Sequence, residues 1–135
     1  MTRPKRPSLP LTLAALSLVV ACGGGKDIEV RHAVSPDAPD SIYVEIVNEH
    51  FYDARVYALY EEAARRPLGL VVGNTTAMPV ALPWQPRPFV FEISFIAESG
   101  LYYTDQIMLD RGDVIQIRIP PNIATSAFFR RAGGP

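Results

Sequence analysis

The chain has 135 residues, 48% of them hydrophobic, with 13 basic and 14 acidic side chains, two histidines and a single cysteine. That length supports one domain with a real core and excludes two of ordinary size. A lone cysteine excludes an internal disulfide, so packing must hold the fold.

The first 21 residues have the layout of a secretion signal. Arg3, Lys5 and Arg6 form a basic start, Leu9 to Val20 an uncharged apolar stretch, and Ala21 is the small residue before Cys22. The run Val19-Val20-Ala21-Cys22 resembles the processing site of a bacterial lipoprotein signal. The resemblance implies a diacylglyceryl group on the Cys22 sulfur, cleavage before that residue and acylation of the new amino terminus. Because Gly23 rather than aspartate follows Cys22, it also implies the outer membrane where the envelope has two. A spanning helix needs about 20 apolar residues, more than this stretch holds, and Pro10 interrupts it. Gly23-Gly24-Gly25 forms a flexible tether, making residues 22–27 the link between lipid and domain. Removing residues 1–21 takes three basic and no acidic side chains, leaving 10 against 14 and a formal charge of about −4, which argues against nucleic acid as a partner.

Residues 28–119 are expected to form the domain, and 13 prolines in the full chain limit helix. Ile28 to Val34 is a strand candidate, ended by a turn at Ser35-Pro36-Asp37. Ile42, Val44 and Ile46 alternate with Tyr43, Glu45 and Val47, the period-two pattern of a half-buried strand. Asp53 to Arg66 admits two readings, a helix capped by Asp53 and stopped by Pro67, or a strand Ala54–Tyr60 paired with Leu68–Val72 across a Glu61–Pro67 loop. The strand reading is preferred because Val56, Tyr57 and Tyr60 suit a sheet. After a turn at Gly73-Asn74 and a candidate strand at Ala77–Leu82, the clearest alternation runs from Phe89 to Ala97. It sends Phe91 to the core and Glu92 to the solvated face. Leu101 to Leu109 places Asp105 on the otherwise apolar face of Leu101, Tyr103, Ile107 and Leu109, which predicts a bulge that changes the register. Asp110-Arg111-Gly112-Asp113 reads as a turn rather than an adhesion motif, and Ile115, Ile117 and Ile119 form the last strong strand. In the tail, residues 120–135, Ile123 to Phe129 suits an edge strand and Arg130 to Pro135 a frayed end. Phe128 to Arg131 is expected to dock on the sandwich rather than touch the membrane surface. Short strands separated by such turns predict an all-β fold, an antiparallel immunoglobulin-like or transthyretin-like β-sandwich.

Asn48, Phe51, Asp53, Val56 and Tyr57, followed by Leu68-Gly69 and Gly73-Asn74-Thr75, resemble a pattern in bacterial lipoproteins of uncharacterised role with small β-sandwich domains. The resemblance spans roughly residues 42–119 and implies no activity.

The chemistry-bearing residues form no strong motif. Glu49, His50 and Asp53 are the densest polar cluster, but a zinc site needs three or four protein ligands and the other histidine, His32, is distant in sequence. The expected reading is a solvated connection in which Asn48 or Asp53 bonds local backbone amides; no metal or cofactor is expected. Asn74-Thr75-Thr76 is a hairpin turn rather than a glycosylation site. Trp84, set among prolines, is read first as a cap on the core; the alternative is a contact for a partner, shared with Arg87. These features predict a lipid-anchored envelope protein with a non-enzymatic binding or structural module. The alternatives are an assembly partner of a larger envelope complex, or an enzyme using carboxylates such as Asp53, Asp105 or Asp113.

Overall fold

Alternation of apolar and polar side chains over most of the chain gives each segment one face to bury, and two sheets meet on those faces. The computed structural model describes residues 26–33, 37–60 and 64–133. The segment expected to be a signal, Cys22, most of the turn expected at 35–37 and most of residues 61–64 lie outside the described residues. The strands are β1 (Ile28–Arg31), β2 (Ser41–Asn48), β3 (Ala54–Tyr60), β4 (Ala64–Val71), β5 (Thr75–Thr76), β6 (Val80–Pro83), β7 (Val90–Phe95), β8 (Leu101–Thr104), β9 (Val114–Ile119) and β10 (Phe129–Arg131), with a short 3-10 turn at Ile123–Thr125. One sheet runs β1-β9-β2-β5, with β6 also on β2; the other runs β10-β8-β7-β3-β4. The all-β sandwich expected from the sequence is the fold observed.

The core lies between the sheets. Ile42, Val44 and Ile46 from β2 and Ile115, Ile117 and Ile119 from β9 face Val56 and Ala58 from β3 and Phe91 and Ile93 from β7, all with at most 1% exposure. Phe89 and Phe91 stack with centroids 6.4 Å apart, and Tyr60 meets Phe89 edge-on, the arrangements that aromatic quadrupoles favour.

Several expectations are corrected in detail. The sandwich is not purely antiparallel, because β2 and β9 pair in parallel from Tyr43↔Val114 to Asn48↔Ile119. The long separation between these strands permits the crossover that a parallel pair requires. The Ala54–Tyr60 strand stands, but its partner begins at Ala64 rather than Leu68, so that the residues expected as loop up to Pro67 are largely strand. Pro67 is tolerated because β4 is an edge strand, and the register slips between Val56 and Tyr57, where Gly69 takes φ +136°. The strand expected over 101–109 stops at Thr104, and its buried residues are Tyr102 and Thr104, not Leu101 and Tyr103. The break at Asp105 then returns Leu109 to the core and leaves Asp105 exposed, paired with Arg130 at 2.7 Å. In the tail, the edge strand is Phe129–Arg131 on β8, so Arg130 and Arg131 are paired backbone rather than a frayed end.

Glu92 is the largest departure. It points away from the core, as the alternation requires, yet is only 4% exposed. The reason is its place: β7 is central, and Tyr57 and Tyr103 stand opposite Glu92 on the two neighbouring strands.

Candidate functional site

The strands leave two loop-bearing ends. Lys26 enters beside the end of β9, since the Arg118 amide donates to the Asp27 carbonyl at 2.7 Å. This proximal end also carries residues 49–53, 72–74, 96–100 and 120–122. The distal end carries residues 37–40, 84–89 and 105–113.

At the distal end the organising group is Asp113, fully buried at the start of β9. It accepts from the Ala33 amide at 3.1 Å, the Asp110 amide at 2.8 Å and His32 Nδ1 at 2.9 Å. A carboxylate only accepts, so the shared hydrogen sits on Nδ1 of His32. One ligand-capable atom from each of His32, Asp110 and Asp113 lies within 4.8 Å of the others, a trio that the sequence reading missed because positions 32 and 113 are far apart. Both Asp113 oxygens are already committed to hydrogen bonds, which makes the trio a clasp joining the exit of β1 to the turn before β9. The Arg111-Gly112-Asp113 segment is the turn expected of it, with Gly112 donating to the Ser41 carbonyl at 2.7 Å.

Trp84 sits beside this clasp. Its indole N–H donates to the Leu109 carbonyl at 2.8 Å, its ring packs against the core, and the Arg111 guanidinium lies 4.6 Å from its centroid. Arg111 in turn pairs with Asp40. Trp84 therefore does not project freely, and Arg87 is exposed three residues further along.

The proximal end is a knot of side chains on backbone. Asn48, 1% exposed, accepts from the His50 amide at 3.0 Å and donates to the Tyr52 carbonyl at 2.9 Å and the Val71 carbonyl at 3.0 Å. Asp53 accepts from the Gly73 amide at 3.0 Å. A Cβ at position 73 would stand 2.1 Å from the Phe51 carbonyl oxygen, so only glycine allows the two loops to close. The bond from the His50 amide to Asn48 is the local one expected from the sequence, whereas Asp53 bonds an amide 20 positions away on another loop, and His50 is not solvated. It stacks on Phe95 at 4.1 Å and accepts the Tyr52 amide on Nδ1 at 3.1 Å, which puts its hydrogen on Nε2, 3.9 Å from Glu98. These polar atoms satisfy one another, and several of the side chains that face outward beside them are apolar. Phe51, Val72 and Ile96 are each more than half exposed, and Tyr52 lies against Phe51.

A third cluster covers the outer face of the second sheet. Arg65 pairs with Glu92 and lies 4.2 Å over the Tyr57 ring. Burial, then the neighbouring Glu92 carboxylate, raises the Tyr103 phenol above its ordinary value of 10.0. This cluster seals the sheet with a buried carboxylate under a cation. The carboxylates Asp53, Asp105 and Asp113 fall at the proximal end, after β8 and at the distal end, and do not converge.

Comparison with protein-family models, with curated proteins and with solved structures finds no match to this chain. Among the described residues no helix is long and apolar enough to cross a membrane.

Proposed function

We propose that the chain is a bacterial envelope lipoprotein, tethered to the membrane through lipidated Cys22, whose β-sandwich is a non-enzymatic binding or structural module. The observation that carries the reading is the order of parts: a basic and apolar leader ending in Ala21-Cys22, a triglycine link, then a packed domain whose first strand begins at Ile28. Sandwiches of the immunoglobulin-like or transthyretin-like kind typically present function on their end loops, which suits a tethered recognition or spacer role. The separation of Asp53, Asp105 and Asp113 supports a module over a carboxylate enzyme, which needs convergent acids. With Gly23 after the cysteine, the outer membrane is the proposed location in a two-membrane envelope. Replacing Cys22→Ala tests the anchor: radiolabelled palmitate should no longer be incorporated and the protein should leave the membrane fraction. Unchanged membrane partitioning of that variant would falsify the reading.

A further inference from the structure

We infer that the proximal end of the sandwich is a bilayer-contacting surface, in which Phe51, Tyr52, Val72 and Ile96 seat in the interface of the membrane that holds the lipid anchor. The inference rests on the proposed anchoring at Cys22 and adds to it an orientation and a second point of contact.

The first observation is clustering. Among the described residues, eight large apolar side chains are exposed, and five of them, Phe51, Tyr52, Leu70, Val72 and Ile96, stand at or beside the proximal end. Phe51 is the most exposed of these at 79%, while its own carbonyl is packed against Gly73. Two loops and the exit of β7 are bound into one platform here, since the Ile96 amide donates to the Asp53 carbonyl and the Asp53 carboxylate holds Gly73. The side chains are thus presented by a fixed backbone, so that no ordering of a loose loop opposes their burial. An exposed apolar patch of this kind marks a surface that something covers.

The second observation names the cover. The described chain starts at Lys26 on this same end, next to Arg118 at the close of β9. Only four residue steps separate Lys26 from Cys22, and even fully extended they span about 14 Å. An acyl chain on Cys22 is in the hydrocarbon, so the tether must first cross the headgroup layer, which takes up about 5–8 Å on each side of the bilayer. The remaining reach holds the proximal end against the membrane surface, whatever path the tether takes. The distal end cannot be the membrane-facing one without carrying Lys26 across the length of the sandwich.

Composition fits the same occupant. An aromatic pair with one phenol suits the boundary between headgroup and acyl chain, where tyrosine keeps its hydroxyl wet and its ring dry. The charges nearly balance, with Lys26, Arg118 and Arg131 against Asp27, Glu49 and Glu98, while Asp53 is turned inward. Contact therefore depends on apolar seating and not on anionic lipid, and should not respond to salt.

The test uses the full lipidated chain, purified and reconstituted in vesicles of phosphatidylethanolamine and phosphatidylglycerol. Single replacements Phe51→Cys, Ile96→Cys and Met108→Cys each carry an environment-sensitive fluorophore, with Met108 as the exposed control at the distal end. Labels at 51 and 96 should be quenched by nitroxide lipids and roughly fivefold less by aqueous iodide than the label at 108, because a side chain about 5–10 Å deep is out of aqueous reach. High salt should not change that ratio. Mass spectrometry of the amino-terminal peptide reports acylation in the same samples. Acylated Cys22 with positions 51 and 96 as open to iodide as 108 overturns the bilayer contact and leaves the anchor standing. Shielding of 51 and 96 from both quenchers means that copies of the chain cover one another, and likewise overturns it. Absence of acylation overturns the anchor and the contact together.

Discussion

Glu92 shows what strand alternation can and cannot tell. The pattern gives its direction correctly, away from Phe91 and the core, but direction equals exposure only where the outer face of the sheet is bare. Here Tyr57, Tyr103 and Arg65 close over the carboxylate, and none of the three is near it in sequence. Phe91→Ala should cost about 3–5 kcal/mol, the usual loss for a buried aromatic. Glu92→Ala should cost about 1–2 kcal/mol, at the low end for a charged hydrogen bond because Arg65 is half exposed and regains water. Urea melts of both variants measure the two losses; a Glu92→Ala loss under about 0.5 kcal/mol would be that of an ordinary surface site and would remove the cluster. The tyrosines set a second expectation. Burial raises both Tyr60 and Tyr103, opposed at Tyr60 by Arg66 and reinforced at Tyr103 by Glu92. The folded state then holds protons to a higher pH than the unfolded chain, so this stability is complete below the ordinary value of 10.0 and lost as pH rises past it. Denaturant midpoints at about pH 8 and about pH 11 should differ, and Tyr103→Phe should shrink the difference.

The elements that the sequence marks well are those with one buried and one open face. In β2 Ile42, Val44 and Ile46, and in β9 Ile115, Ile117 and Ile119, take every second position and are buried, while residues such as Glu45, Gln116 and Arg118 face outward between them, which defines strand and face together. The segment after Leu101 was harder, because Tyr102 and Thr104 are the buried pair while Leu101 and Tyr103 look more apolar; the Thr104 hydroxyl is kept inside by a bond from the Phe91 amide at 3.0 Å. The distal clasp was illegible for another reason, since it is made between elements rather than within one. Its prediction separates a hydrogen-bonded clasp from a metal site. Asp113→Ala should cost about 3 kcal/mol by stranding the amides of Ala33 and Asp110, whereas Asp110→Ala should stay within about 0.5 kcal/mol because Asp110 contributes only its main chain. Chelator should leave the thermal melt of the native protein unchanged. Equal losses in the two variants, together with a melt lowered by chelator, would make the trio a metal centre instead.

At the scale of the whole molecule, topology depends on pairings that local pattern does not encode. Nothing in β2 or β9 announces that they run parallel, and in the tail the pattern suits an edge strand over Ile123 to Phe129 but reads Arg130-Arg131-Ala132-Gly133-Gly134-Pro135 as a frayed end. The structure gives the tail a share of the core. Ile123 and Phe129 are 2% and 5% exposed, and β10 covers the edge of β8 with Phe129↔Thr104, Arg130↔Tyr103 and Arg131↔Tyr102. Ser126 further ties this segment to Asp27 at the chain entry, so the first and last described parts of the domain are joined. Ending the chain after Pro121 should therefore do two distinct things. Losing two buried apolar side chains should cost about 3–6 kcal/mol, a large share of the roughly 5–15 kcal/mol that holds a domain of this size. Uncovering β8 also leaves a row of unpaired backbone groups, which favours edge-to-edge association. The domain from Lys26 to Gly133 should sediment as a monomer with a cooperative urea transition, and the shortened one should melt at lower denaturant and sediment as dimers or larger species. A shortened domain that stays monomeric with an unchanged midpoint would show that the tail packs on the sandwich without supporting it.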